Sequence, residues 1–155
     1  MLFNPVHEDH LERLSARLRL APEITSDLFS DVTAICARLA VLTKAGKTGR
    51  LNSLIAAEAW TDAALTLIEL ETPNWKLRGL EYQDGEWFCS LSTEPNMPVV
   101  IDDTADARHE IPALAILSAF LDALRKNSEI HETRSLTTPR FRSASGLAMC
   151  CDNFA

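Results

Sequence analysis

The chain has 155 residues, of which 46% are hydrophobic and 24% are charged, and its formal net charge at pH 7 is −7. This length and composition fit one globular domain that buries a hydrophobic core. Because phosphate backbones and anionic membrane surfaces attract basic proteins, the acidic balance argues against nucleic acid and membrane partners.

An amphipathic helix is predicted over residues 6–20. Leu11, Leu14 and Leu18 recur at steps of three and four within an otherwise charged segment, which gives the helix a narrow apolar stripe. Such a stripe is typical of a helix that packs on another chain. We therefore expect these three leucines to form an interface with a second copy or with another protein.

Two longer helical patterns follow. The first begins at Thr25 or Ser26, which are suitable N-caps, and ends in the glycine-containing segment 44–49. The triplet Gly46-Lys47-Thr48 resembles the end of a phosphate-binding loop, but a helix precedes it and an earlier glycine is missing, so we interpret it as a helix-to-helix turn. The second pattern predicts one helix over residues 50–71.

A β-hairpin is predicted from strands near residues 75–82 and 86–93. Asp84-Gly85 suits a type I′ turn, because both of its central residues take positive φ. A bulge at Gly79 keeps the apolar side chains of the first strand on one face. The predicted pairs across the hairpin, from the turn outward, are Tyr82–Trp87, Leu80–Cys89, Leu77–Leu91 and Trp75–Thr93.

The remaining elements complete an α+β prediction. A short third strand is expected over 98–101, at the sheet edge because of Pro98, and a last helix over 111–128. The sequence thus predicts a single domain over residues 1–131. About four helices pack on a small antiparallel sheet, and the aromatic hairpin face lies against the second, third and last of them. The polar segment 132–155 is predicted to be an extended or disordered tail.

A cluster of carboxylates with one imidazole precedes the last predicted helix. Its members are Asp102, Asp103, Asp106, His109 and Glu110. Such side chains could hold a divalent ion, but the spacings of a calcium loop and of a His-Glu-x-x-His helix are absent. Acidic residues before a helix also stabilise its N-terminus. We favour this capping interpretation and expect no metal and no cofactor.

The four cysteines show no framework spacing. Cys36 and Cys89 fall on predicted apolar faces, which suits buried free thiols in a reducing cytoplasm. Cys150 and Cys151 adjoin an acidic segment and are interpreted as thiols sensitive to oxidation. The start of the chain lacks the pattern of a signal peptide, and no apolar run has the length of a membrane span.

No catalytic or nucleotide-binding pattern stands out in the sequence. We expect a cytoplasmic, non-catalytic accessory or regulatory module that acts through protein–protein interaction as a homodimer. Two alternatives stay open. One is a small metal- or ligand-binding enzyme that uses the cluster from Asp102 to Glu110. The other is a sensor whose ligand pocket lies behind the hairpin face of Trp75, Tyr82 and Trp87.

Overall fold

The computed structural model describes residues 5–98 and 103–136, and within them six helices pack on a three-stranded antiparallel sheet. The elements are α1 (Pro5–Leu20), α2 (Ser26–Ala34), α3 (Ala37–Lys44), α4 (Gly49–Ala56), α5 (Trp60–Glu71), β1 (Lys76–Gln83), β2 (Glu86–Ser92), β3 (Thr104–His109) and α6 (Pro112–Leu136). The strand order is β1-β2-β3. The predicted α+β class is confirmed.

The β1–β2 hairpin has the predicted turn and nearly all of the predicted register. Asp84 and Gly85 take φ values of 54° and 89°. The register shifts between Leu77 and Gly79, and three of the predicted pairs are present, namely Tyr82–Trp87, Leu80–Cys89 and Leu77–Leu91. The fourth pair, Trp75–Thr93, is wrong, because the ladder ends at Lys76 and Ser92.

The third strand lies later in the chain than predicted. Thr104–His109 pairs with β2, whereas residues 99–101 of the predicted strand lie outside the described residues. Alternation explains why this charged segment is a strand: Ala105 and His109 are buried, while Asp106 and Arg108 are exposed.

Helices α2 and α3 replace one predicted helix. The break falls at Ile35 and Cys36, where no glycine or proline stands. The carboxylate of Glu71, the last residue of α5, accepts hydrogen bonds from the amides of Arg38 at 3.2 Å and Leu39 at 2.6 Å. The first turn of a helix leaves such amides without an intrahelical partner, so a distant helix stabilises the break.

Helices α4 and α5 replace the helix predicted over 50–71. Glu58 takes a left-handed φ of 54°. The Ala59 amide donates to the carbonyl of Leu54 at 2.9 Å, and the Glu58 amide donates to that of Ile55 at 3.0 Å. These two bonds form a Schellman motif, which ends α4 without the glycine that usually marks it.

Helix α6 is the centre of the fold. Every residue from 113 to 121 is buried, which is typical of a helix that is covered on all sides. The helix contacts β2 and β3 as well as α1 and α5, so it lies between the sheet and the helical layer.

Helix α6 also extends beyond its predicted end at residue 128. It continues to Leu136, so residues 132–136, predicted as part of the tail, are helical. Residues 113–138 include no glycine or proline, and polar residues such as Glu132 and Arg134 are compatible with a helix. Residues 137–155 of the predicted tail lie outside the described residues.

The sheet is covered unevenly. Helix α6 contacts β2 and β3 extensively, and Cys89 and Leu91 of β2 are fully buried. The side chains of Leu77 and Tyr82 in β1 remain 40% and 61% exposed. The prediction that the whole hairpin face packs under helices is therefore wrong for β1, which projects beyond α6.

Candidate protein-binding surfaces

The leucine stripe of α1 is used inside the chain. Leu11, Leu14 and Leu18 are 7%, 2% and 0% exposed, and all three belong to the hydrophobic core. Helix α1 packs on α6, the buried central helix, and this contact explains the narrow stripe. These three leucines are therefore not accessible to a second chain in the folded protein.

The candidate metal ligands Asp106 and His109 lie on opposite faces of β3. Asp106 is exposed, whereas His109 is 8% exposed on the face that α6 covers. The Nδ1 atom of His109 accepts a hydrogen bond from the Ile111 amide at 3.0 Å. One ion could not be bound by both side chains in this arrangement.

The remaining members of that cluster do not complete a site. Asp103 and Glu110 are exposed at the two ends of β3, and Asp102 lies outside the described residues. Among residues 5–98 and 103–136 no group of three or more His, Cys, Asp or Glu side chains could hold a metal ion. The capping interpretation is wrong for residues 104–109, which form a strand.

The three aromatic residues predicted to line a ligand pocket do not share one site. Trp75 is 1% exposed, and its indole N–H donates to the Oδ1 atom of Asn127 on α6 at 2.9 Å. Tyr82 and Trp87 lie near the hairpin turn, with ring centroids 5.4 Å apart. Trp75 is thus a core residue that joins the start of the hairpin to α6.

The partly exposed face of the hairpin around β1 is one candidate binding surface. This β1 surface consists of Leu77, Leu80 and Tyr82 of β1 with Trp87 of β2, which share one face of the sheet. Leu77 and Tyr82 are exposed, whereas Leu80 and Trp87 are partly buried against the core. In a hairpin with a two-residue turn, the residues that flank the turn are hydrogen-bonded to each other, and bonding then alternates along the strand. The backbone N–H and C=O groups of Leu80 and Tyr82 therefore point to the outer edge of the sheet.

A groove along β3 is the second candidate surface. This β3 groove has a volume of about 860 Å³ and is lined by α1, α6 and residues 106–108 of β3. Side chains of consecutive strand residues point to opposite faces, yet Asp106, Ala107 and Arg108 all line it. The groove therefore follows the edge of the strand.

Backbone groups of β3 point into this groove. Leu80 and Cys89 form a non-hydrogen-bonded pair, so the backbone groups of Cys89 point away from β1 and toward its β3 partner, Ala107. Because hydrogen bonding alternates along a strand, the residues of β3 that bond to β2 are Ala105, Ala107 and His109. The N–H and C=O groups of Thr104, Asp106 and Arg108 then face outward. The Nζ atom of Lys126 indeed donates a hydrogen bond to the carbonyl oxygen of Thr104.

The floor of the β3 groove contains an unusual polar atom. Ser118 on α6 is 7% exposed, and its Oγ atom has no hydrogen-bond partner within the described residues. Asp122, one turn further, forms ion pairs with Arg125 and with Lys126, the second at 3.2 Å. No sequence motif indicates this set, although Ser118 is the one polar residue in the apolar run 113–121.

The thiols of Cys36 and Cys89 are poorly suited to chemistry. Burial, and then the carboxylates of Glu71 and Asp106 respectively, raise the pKa of both thiols from the usual 9.0 to about 12. The Sγ atom of Cys36 also donates to the carbonyl of Val32 at 3.3 Å. A nucleophilic cysteine requires a lowered pKa, so neither thiol is a catalytic candidate.

We expect both thiols to react slowly in the native protein at pH 8. In a variant with Cys150 and Cys151 replaced by serine, a chromogenic disulfide reagent should modify Cys36 and Cys89 only as fast as the protein opens. Rapid reaction of both thiols without denaturant would contradict their burial.

The same two thiols predict how stability depends on pH. Since the folded state keeps the two thiol protons while the unfolded state loses them near pH 9, the free energy of unfolding should fall as the pH rises from about 9 toward 12.

Comparisons with protein-family models, with curated proteins and with solved structures found no match. Within residues 5–98 and 103–136, no helix combines the length and the apolar character needed to cross a membrane. The β1 surface and the β3 groove are therefore the features from which function is inferred.

Proposed function

We propose that the protein is a non-catalytic accessory module that acts through protein–protein interaction and forms a homodimer along the β1 surface. One observation carries the proposal: β1 is an edge strand on which the apolar side chains of Leu77 and Tyr82 remain 40% and 61% exposed. Exposed edge strands with apolar side chains pair readily with another chain. The buried free thiols of Cys36 and Cys89 support a reducing compartment, and we place the protein in the cytoplasm.

The β1 strand is complementary to a copy of itself. A two-fold axis perpendicular to the sheet keeps each side chain on its own face, so antiparallel pairing can place Leu80 opposite Leu80 of the second copy. Because of the bulge before Gly79, Leu77 then lies opposite Tyr82 of the other chain. All apolar side chains of β1 thereby meet apolar side chains across the interface.

A two-fold register centred on Glu81 is less favourable. Centring the pair on Glu81 would set two carboxylates directly opposite each other, and like charges in that position are destabilising. The Leu80-centred register instead places Glu81 opposite Gly79. The sequence of β1 thus supports the Leu80-centred register, in which a continuous six-stranded sheet would span both subunits.

The solution mass tests this dimer. We expect the unaltered protein to have the mass of two chains and a variant carrying Leu77→Lys and Tyr82→Lys to have the mass of one. Each substituted position is at least 40% exposed, so the folded subunit should tolerate both lysines. Sedimentation equilibrium measures the mass, and circular dichroism verifies that the variant is folded.

Val41→Lys is the matched control, because Val41 is 67% exposed on α3, a helix that packs on α2 and α5. This variant should remain dimeric. A monomeric unaltered protein, or a folded double variant that keeps the mass of two chains, would overturn the proposed dimer.

A further inference from the structure

We propose that the β3 groove binds an extended segment of a partner protein, which adds to β3 as a fourth strand and directs a basic side chain at α1. This inference does not rest on the homodimer, because β1 and β3 are opposite edges of the sheet. A dimer built on β1 leaves the groove open in each subunit.

The main chain of β3 provides the first argument. Asp106 and Arg108 present outward N–H and C=O groups at an edge with space of about 860 Å³ beside it. A polypeptide in extended conformation satisfies such groups in the way that a neighbouring strand does. The Lys126 ammonium group already binds the outward carbonyl of Thr104, so it limits the added strand at that end.

Ser118 provides an independent argument. A buried hydroxyl without a partner is unfavourable in the free protein, and it lies on the groove floor. The Oγ atom lies beneath the groove surface, so a peptide lying against α6 supplies the missing hydrogen bond when the Ser118 side chain rotates toward the groove. The structure thus holds a polar group that an incoming segment would satisfy.

The charges of the groove indicate the chemistry of that segment. Glu8 and Glu12 of α1 both line the groove and are one helical turn apart on the same face. On the α6 side, the carboxylate of Asp122 is already paired with Arg125 and Lys126. Arg19 lines the other end of the α1 wall, so the end formed by Glu8 and Glu12 favours a lysine or arginine of the bound segment. The mixture of both charge signs disfavours a polyphosphate ligand.

The probe for this site is a phage-displayed library of random dodecapeptides, panned on the full chain. We expect enrichment of sequences with alternating apolar residues and a basic residue. Synthetic copies of the enriched sequences should bind with one peptide per subunit in isothermal titration calorimetry. Failure to enrich any peptide that binds the unaltered protein in solution would overturn the proposal.

Two substitutions at one position isolate the role of the strand edge. Asp106→Pro removes an outward N–H without removing a ladder bond to β2, and proline is tolerated on edge strands. Peptide affinity should fall by about tenfold or more in this variant, since one main-chain hydrogen bond is lost. Asp106→Ala keeps that N–H and should bind within about threefold of the unaltered protein. Equal affinities of the two variants would overturn strand addition.

Two further variants test the side-chain contacts. Ser118→Ala should weaken peptide binding while leaving the melting temperature unchanged or higher, because it removes an unsatisfied buried hydroxyl. Glu8→Gln combined with Glu12→Gln should weaken binding of the basic peptides and reduce its salt dependence. Unchanged binding in both variants would contradict the assignment to this groove. The Leu77→Lys, Tyr82→Lys variant should still bind peptide, which separates this test from that of the dimer.

Discussion

Replacement of Leu18 by aspartate is expected to unfold the protein rather than only to change its assembly. The Leu18 side chain is 0% exposed and belongs to the core in which α1 packs on α6. Burying an unpaired carboxylate there should lower the free energy of unfolding by more than about 4 kcal/mol, a large part of the stability of a domain of this size. Urea denaturation followed by circular dichroism measures the loss.

Leu20→Asp is the control for this substitution. Leu20 is in the same helix but is 84% exposed, so the change should stay within about 1 kcal/mol. If the Leu18→Asp variant folded normally and merely changed its solution mass, α1 would be an interface helix and its packing on α6 would be wrong.

Replacement of Trp75 by alanine is expected to have the second largest effect. The indole ring is 1% exposed, and its N–H binds Asn127 of α6 at 2.9 Å, so the substitution removes a buried ring and a hydrogen bond together. The expected loss is about 3–5 kcal/mol in the free energy of unfolding, as measured by denaturant titration.

A double-mutant cycle separates the two contributions. Trp75→Phe keeps most of the ring volume but leaves Asn127 Oδ1 without its donor. Asn127→Ala should therefore destabilise the Trp75→Phe protein less than the unaltered one, by about 1 kcal/mol. Purely additive effects would show that the bond contributes nothing to stability, and the indole would then act through packing alone.

The elements that were predicted correctly depend on local chemistry. Asp84-Gly85 specifies its turn through the φ values of two adjacent residues, and this turn fixes the register up to the bulge. Gly46, with a φ of 70°, ends α3 as its sequence context indicates. Neither case requires information from elsewhere in the chain.

The errors arise where distant residues decide the structure. The α2–α3 break depends on Glu71, which is more than 30 positions away in sequence. Glu58 takes a left-handed conformation, which a glutamate in the sequence does not indicate. The periodicity of α1 correctly indicates that Leu14 is buried, but periodicity cannot say against which surface. The β3 groove was not predicted because it joins three separated elements, and its one local signal is Ser118.

The central position of α6 has a consequence for how the chain reaches its native state. Helices α1 to α5 and the hairpin precede α6 in the sequence. The sheet, α1 and α5 nevertheless all bury their apolar faces against α6. During synthesis those elements emerge before their common packing partner, and their exposed faces are then prone to aggregation. We therefore expect folding to be a single cooperative event that waits for residues 112–136. A nascent chain stopped before Pro112 should remain sensitive to proteases along its whole length.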